Sequence, residues 1–248
     1  MPDYTGTDNL KVMAEAVNYN QFLLSLVLRH AVKNQNIVDF GSGIGTFSRA
    51  LGERGYRIHC IEPDAHQADL IAAAGLPVSA SLDDIAAGSI DYLYTLNVLE
   101  HIEDDMQAIG EWHDKLKPGG ILLIYVPAFQ LLYSSMDRKV GHFRRYTKQV
   151  LVDKLRDVGF QVLSARYVDS LGFFASLLFR WLGNDSGNLN RGALVVYDRL
   201  VFPLSRICDL LFSAFLGKNV VVIARKTESS SSLPRLRGRG VCCFSNYT

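Results

Sequence analysis

The sequence has few of the residues that mark specialised protein classes. Four cysteines occur in 248 residues, with neither the spacing of a zinc site nor the density of a disulfide scaffold, and no metal site is predicted. No apolar run reaches the roughly 18 residues that span a bilayer. The first residues lack the basic and then apolar pattern of a signal peptide. These absences favour a protein of the reducing cytoplasm.

The chain also lacks an excess of charge of either sign. It has 26 basic and 25 acidic residues, which gives no general argument for nucleic acid as a partner. Hydrophobic residues make up 48% of the chain, enough for a buried core. We predict one α/β domain over residues 1–226 with an apolar helical insertion at about 170–217. Residues 227–248, rich in Ser, Gly and Arg, are predicted to be a disordered tail.

What the chain does have is a glycine-rich corner. The apolar run Ile37–Phe40 contains one acid, Asp39, and is followed by Gly41, Gly43 and Gly45 and then by a helix-compatible segment. Glycine suits such a turn because the turn needs backbone angles that other residues rarely adopt. A Cβ at these positions would also block the approach of a ligand to the main chain. The pattern predicts a strand, a tight turn and a helix whose amino end points at a ligand.

A second acid stands at the end of the next predicted strand. Glu62 follows Gly45 by about 17 positions and could accept hydrogen bonds from both hydroxyls of a ribose. Strands alternate with helical stretches, which favours a doubly wound parallel sheet with its ligand at the carboxyl ends of the strands. The predicted strands cover residues 36–40, 57–62, 76–80, 89–96, 121–126, 160–168 and 219–225.

Four segments together resemble a known family. They are Asp39 to Gly45, Glu62, Asn97-Val98-Leu99-Glu100-His101-Ile102, and Leu116-Lys117-Pro118-Gly119-Gly120. The last of these segments is predicted to be a turn. Their order and spacing resemble the successive motifs of the class I S-adenosylmethionine-dependent methyltransferases over about residues 10 to 165. The resemblance implies a Rossmann-like seven-stranded sheet of order 3-2-1-4-5-7-6 in which only strand 7 is antiparallel.

The resemblance also implies a cofactor, S-adenosyl-L-methionine, and roles for individual residues. Asp39 and the backbone of Gly41, Gly43 and Gly45 would face its methionyl part, and Glu62 would hold the ribose. Pro63, Ser81, Leu82 and Asp83 would surround the adenine, while Asn97 and His101 would line the floor near the sulfonium. The residues themselves argue against a dinucleotide, because Thr46 stands where that site needs a third glycine.

Substrate chemistry is predicted after the fifth strand, in Gly141-His142-Phe143-Arg144-Arg145-Tyr146-Thr147. In small-molecule methyltransferases a similar stretch lies over the active site. His142, Tyr146 and His101 are the catalytic candidates. His142 could accept a proton from the acceptor, and Arg144 or Arg145 could grip an anionic group. Alternatively, these charges pair with Asp137 or Glu100 and only fix the loop. Thr147 is predicted to cap a helix over residues 148–158.

The insertion carries a wide apolar surface that water cannot solvate cheaply. Its segment 193–216 has a narrow polar stripe and an expected break at Pro203. Residues 171–216 could form a lid over the protein's own pocket, contact a second copy, or lie at the inner face of a membrane. A lid or a membrane contact would favour a lipid-like or lipid-linked acceptor. The functional prediction is methyl transfer to a small or lipid-like acceptor. The alternatives are a non-catalytic cofactor-binding protein and an oxidoreductase.

Overall fold

The structure is a computed structural model and describes residues 12–182 and 191–227. The helices are α1 Val17–Leu28, α2 Thr46–Gly52, α3 Ala65–Ala73, α4 Asp105–Lys115, α5 Ser135–Lys139, α6 Lys148–Val158, α7 Ser170–Leu182, α8 Arg191–Val196 and α9 Phe202–Phe212. The strands are β1 Ile37–Phe40, β2 Ile58–Ile61, β3 Val78–Ser79, β4 Ile90–Leu96, β5 Leu116–Pro127, β6 Phe160–Val168 and β7 Asn219–Lys226. The tail and the Gly/Asn/Asp link after α7 lie outside the described residues.

The seven strands form one sheet in the order β3-β2-β1-β4-β5-β7-β6. Strands β1 to β5 run parallel, and β7 is antiparallel to both β5 and β6. This topology confirms the predicted order and the predicted single reversal. The order changes direction between β1 and β4, which is where an open α/β sheet offers a crevice for a ligand.

The core lies on both faces of the sheet. On one face Leu122 and Ile124 of β5 pack in a cluster with Trp112 of α4 and Leu151 of α6. On the other face the alternate residues of the same strand join a cluster that includes Leu23, Leu26 and Val27 of α1. A strand buried on both sides reads as a continuous apolar run, which explains why β4 and β5 were recognisable in the sequence.

Two predicted interruptions take a different form in the structure. The segment Leu116–Gly120, expected to be a turn, belongs to β5, where Leu116 pairs with Ile90 and Ile121 pairs with Tyr92. Three more residues lie between the pairs on β5 than on β4, and a positive φ at Gly119 accommodates the bulge. The expected break at Pro203 takes the form of a π-helical turn, Tyr197–Val201, which joins α8 to α9 directly before Pro203 in the first turn of α9.

The amino-terminal helical segment is capped from the insertion. A helix or helix pair is predicted from residue 10 to residue 32; in the described residues Val12 and Met13 are helical, a turn follows at 14–15, and α1 covers Val17–Leu28. The Asp198 carboxylate accepts hydrogen bonds from the backbone N–H groups of Asn18 and Tyr19, at 3.0 and 2.8 Å. A carboxylate suits this place because the amino end of a helix carries unpaired N–H groups and a partial positive charge.

The polar stripe of the insertion faces inward. Asp198, Ser205 and Asp209 are buried, and Asp209 accepts hydrogen bonds from the backbone N–H groups of Asp169 and Ser170. The stripe therefore joins α9 to the start of α7 through Asp209, and it joins the segment before α9 to α1 through Asp198. Phe202 is buried against Tyr19 and Phe22. Most other apolar side chains of segment 193–216 are exposed, including Leu200, Leu204, Ile207, Leu210, Leu211, Phe212 and Phe215.

Candidate functional site

The glycine-rich corner lies where the carboxyl end of β1 meets the amino end of α2. Gly41, Gly43 and Gly45 all have positive φ, so the predicted backbone conformation is present. A Cβ on Gly41 would come within 2.3 Å of Val98 Cγ2, because the segment after β4 presses against the corner. Gly41 thus lets the Val98 side chain approach the corner, and glycine at the three positions leaves the main chain accessible to a ligand.

Glu62 is held in place beside this corner. The Gly43 N–H donates to Oε2 at 2.7 Å, and the Asp64 N–H donates to Oε1 at 3.0 Å. Burial raises the pKa of Glu62 above its ordinary value, while these two hydrogen bonds act in the opposite direction. Each carboxylate oxygen can accept a further hydrogen bond, so the side chain fits the diol of a ribose.

Asp39 lies beneath the corner. Its carboxylate is buried and accepts a hydrogen bond from the Ser48 hydroxyl, which lies in the first turn of α2. Burial raises the pKa of Asp39 to about 7, because the charged form is poorly solvated there. The geometry shows Asp39 tying β1 to α2. Its contact with the methionyl part of a cofactor stays a prediction.

The residues predicted around the adenine follow β2 and β3. Pro63 and Asp83 are exposed, whereas Leu82 is buried in the core. The Ser81 hydroxyl donates to Asp83 Oδ2 at 2.8 Å, and the Asp83 N–H donates to Ser81 Oγ at 3.2 Å. This short turn lies at the same edge of the sheet as Glu62, and its role toward a base stays a prediction.

Asn97 adopts an uncommon backbone conformation at the end of β4. Its φ is +56°, and its N–H donates to the Tyr125 carbonyl oxygen at 2.7 Å. The Asn97 side chain interacts with the hydroxyl of Tyr19 in α1. Burial raises the pKa of Tyr19 to about 12, so this hydroxyl stays protonated. Sequence reasoning missed Tyr19 because an aromatic residue on an amphipathic helix is typical of a core position.

The loop between β5 and α6 is fixed by a buried acid. Arg145 donates from Nε to Asp137 Oδ1 at 2.8 Å and from Nη2 to Oδ2 at 2.9 Å. His142 Nδ1 lies 2.7 Å from the same Oδ1. These hydrogen bonds hold the pKa of Asp137 well below its ordinary value. Arg145 therefore has the loop-fixing role that was the alternative in the sequence, and Arg144 forms an ion pair with Asp105 at 3.2 Å.

The structure brings His101 and His142 together. Their ring centroids are 4.5 Å apart, and His142 Nε2 lies 3.9 Å from Glu100 Oε1. Burial, followed by the neighbouring His142, lowers the pKa of His101 to about 4. Glu100 is completely buried, which raises its pKa to about 8. The two catalytic candidates thus form one cluster, to which Glu100 adds an acid that the sequence suggested only as an ion-pair partner.

Tyr146 forms its hydrogen bonds with residues outside this cluster. Its buried hydroxyl donates to Asp105 Oδ2 at 2.9 Å and lies 3.3 Å from the Leu99 carbonyl oxygen. Burial and the Asp105 charge raise the pKa of Tyr146. These contacts connect the loop to α4, and a catalytic role for Tyr146 stays a prediction.

Comparison with known proteins gives a consistent assignment. A family model described as a methyltransferase domain matches residues 13–165. A solved geranyl diphosphate C-methyltransferase from Streptomyces coelicolor A3(2), in complex with Mg²⁺, geranyl diphosphate and S-adenosyl-L-homocysteine, has a TM-score of 0.61 at 15% identity. The alignment covers 92% of this chain and 86% of that protein, and it supports the fold.

Two mycobacterial relatives named as uncharacterized methyltransferases are also similar. The protein from Mycobacterium sp. (strain JLS) is 26% identical over 154 residues, which cover 57% of this chain and 61% of the relative. The protein from Mycolicibacterium gilvum (strain PYR-GCK) is 24% identical over 211 residues, covering 79% of this chain and 78% of the relative.

Proposed function

Because this chain belongs to the family of S-adenosylmethionine-dependent methyltransferases, we propose that it transfers a methyl group to a small or lipid-like acceptor by in-line displacement. The cofactor, when bound, supplies the sulfonium-activated methyl group. The glycine-rich corner supports this site for the cofactor. At the carboxyl ends of β1 and β2 it combines the carboxylate of Glu62 with an accessible glycine backbone.

The residues of the chain contribute alignment more than covalent chemistry. An in-line displacement needs the acceptor atom held close to the methyl group, and orientation alone can supply a large part of the rate. Asn97 directly follows β4 and interacts with Tyr19, while His101 follows β4 and His142 follows β5 along the chain. We assign the acceptor to the space that these residues face, with His142 as the group that takes the acceptor's proton.

His142→Ala is expected to lower turnover about a hundredfold, the lower end of the range for losing a general base. Affinity for S-adenosylmethionine should stay unchanged, because His142 contacts Asp137 and Glu100 and not the corner. The measurement combines calorimetry of cofactor binding with transfer of a labelled methyl group to lipid and small-molecule extracts. The matched control is His66→Ala, at an exposed position of α3.

Each outcome of this experiment decides one question. Unchanged turnover in His142→Ala would remove His142 from the mechanism and leave methyl transfer standing. Cofactor binding by the wild-type chain without transfer to any acceptor would favour the non-catalytic binding protein. Binding of a nicotinamide cofactor in place of S-adenosylmethionine would favour the oxidoreductase.

The lipid-like acceptor is supported by the apolar face of α9 and its flanks. The side chains of Leu210, Leu211 and Phe215 are 82%, 76% and 75% exposed. Among the described residues no helix has the length and hydropathy to cross a bilayer. An amphipathic helix that buries its polar side and exposes its apolar side has the arrangement of a segment lying in a membrane interface. We propose that this face rests on lipid and brings the site to its acceptor.

The double variant Leu210→Glu, Leu211→Glu is expected to abolish flotation of the chain with phospholipid vesicles. Each leucine contributes about 1.5–3 kcal/mol when fully buried, so two carboxylates should move the chain from the floating to the soluble fraction. The control is Val150→Glu, Leu163→Glu, which places the same charges at exposed apolar positions of α6 and β6.

Light scattering tests whether a second copy of the chain, and not lipid, covers the apolar face of α9. A wild-type chain that does not float, but forms a dimer that Leu210→Glu, Leu211→Glu dissociates, would assign the face to a second copy and overturn the membrane contact. Flotation that both double variants retain would also exclude α9 as the contact.

A further inference from the structure

Glu100 is a buried carboxylate without a hydrogen-bond partner on another described residue. Its relative exposure is 0%, and neither Oε1 nor Oε2 has such a partner; only the backbone N–H of Glu100 itself acts on the carboxylate as a donor. Arg145 acts on it only through its electric field, because the guanidinium is bonded to Asp137. An isolated buried carboxylate is costly. A protonated Glu100 would have no acceptor at hydrogen-bond distance among the described residues, because His142 Nε2 lies 3.9 Å from Oε1.

Two imidazoles face this carboxylate. One atom each of Glu100, His101 and His142 can be chosen so that all three lie within 4.8 Å of one another. Asp137 fixes one of the rings, since its Oδ1 lies 2.7 Å from His142 Nδ1 and its charge is maintained by Arg145. A carboxylate partner places the proton on Nδ1, which leaves a lone pair on Nε2, and Nε2 lies 3.9 Å from Glu100 Oε1.

We propose that Glu100, His101 and His142 bind a divalent transition-metal ion. A carboxylate oxygen and an imidazole lone pair that face each other without a proton between them are satisfied together by a cation. Two imidazoles and one carboxylate suit Zn²⁺, Fe²⁺, Co²⁺ or Mn²⁺ and leave coordination positions open. The cysteine spacing predicted no metal site, because this site uses no cysteine and unites residues about forty positions apart in the chain.

The distances permit this ligation after small side-chain movements. Metal–ligand bonds of about 2.0–2.2 Å place the ligand atoms of a tetrahedral site about 3.4 Å apart. The Glu100–His142 pair is 3.9 Å apart, and the widest pair is no more than 4.8 Å apart. Closing the site therefore requires shifts of about an ångström or less per side chain, which rotations of a carboxylate and an imidazole provide.

Asp137 orients the metal-binding histidine. Its hydrogen bond to His142 Nδ1 keeps Nε2 available, and such partners typically change metal affinity about 10- to 100-fold. The open positions of the ion would face the acceptor space of the proposed function. An ion on His142 Nε2 leaves that ring no free lone pair, because Nδ1 donates to Asp137. His142 is therefore a ligand in the metal-loaded chain, and its proton-accepting role applies to the metal-free chain only. Metal binding is measured without methyl transfer, so the two proposals can fail separately.

The test measures metal binding by the untagged full-length chain after treatment with EDTA and dialysis. Titration with Mn²⁺, followed by electron paramagnetic resonance, and with Co²⁺, followed by visible absorption, is expected to show one ion per chain. Glu100→Gln and His142→Gln should each weaken binding at least tenfold. His66→Ala, at an exposed histidine outside the cluster, should bind like the wild type.

Circular dichroism of each variant separates lost ligation from lost folding, and the near-isosteric Glu100→Gln should fold because the Glu100 carboxylate has no hydrogen bond to another described residue. Asp137→Asn should lower affinity about 10- to 100-fold without changing the stoichiometry. Absence of a stoichiometric ion in the wild type would overturn the proposal. Binding that Glu100→Gln and His142→Gln both leave intact would overturn it equally, because the ion would then lie elsewhere.

Discussion

Replacing Glu62 with glutamine is expected to weaken S-adenosylmethionine binding about a hundredfold. Each hydrogen bond to a charged group contributes about 1.5–3 kcal/mol, and a ribose diol offers two donors to this carboxylate. Glutamine keeps the size of the side chain, but its amide group also places N–H donors near the N–H groups of Gly43 or Asp64, which now donate to Glu62. The glycine corner therefore loses part of its own support together with the ribose contact.

Calorimetry with S-adenosylmethionine and S-adenosylhomocysteine measures this loss, and circular dichroism checks the fold. Glu53→Gln provides the control, because Glu53 is an exposed acid just after α2 and makes no contact with the corner that the structure shows. Affinity within threefold of the wild type in Glu62→Gln would show that Glu62 does not hold the ribose.

Replacing Asp209 with alanine is expected to lower the free energy of unfolding by about 3–5 kcal/mol, the usual cost of breaking a buried charged pair. The buried carboxylate accepts from the Asp169 N–H at 3.0 Å and from the Ser170 N–H at 2.8 Å. It also accepts from the Ser170 hydroxyl and pairs with Arg206. Alanine leaves the two backbone N–H groups buried and unpaired at the start of α7, and it leaves Arg206 without its partner.

Urea denaturation measures the change, with Asp153→Ala as the matched control. Asp153 is an exposed acid on α6 with one hydrogen bond, from Gln149 at 2.8 Å, and its loss should cost no more than about 0.5 kcal/mol. A loss below about 1 kcal/mol for Asp209→Ala would mean that water or another group replaces the carboxylate, and that the stripe does not anchor the insertion.

The loop between β5 and α6 shows the limit of prediction from sequence patterns. The sequence predicted both ends of helix α6 correctly, because its threonine N-cap and its glycine C-cap are local signals. The sequence from His142 to Thr147 left open whether Arg145 grips a substrate or fixes the loop. The answer depends on Asp137, whose burial and fork-shaped contact with Arg145 are properties of the folded loop.

Sequence alone predicted the glycine corner and Glu62 beside it, because both depend on short-range backbone requirements. The sheet order and the methyltransferase family followed from the resemblance of four segments to a known family. Tertiary structure alone decided which side chains meet. His101 and His142 lie far apart in the chain, Glu100 has no hydrogen-bond partner on another described residue, and Asp198 caps a helix 180 residues before it. It also decided which side of α9 faces outward. Amphipathic periodicity gives the two faces of a helix, but only the positions of the buried partners of Asp198, Ser205 and Asp209 fix which one is covered.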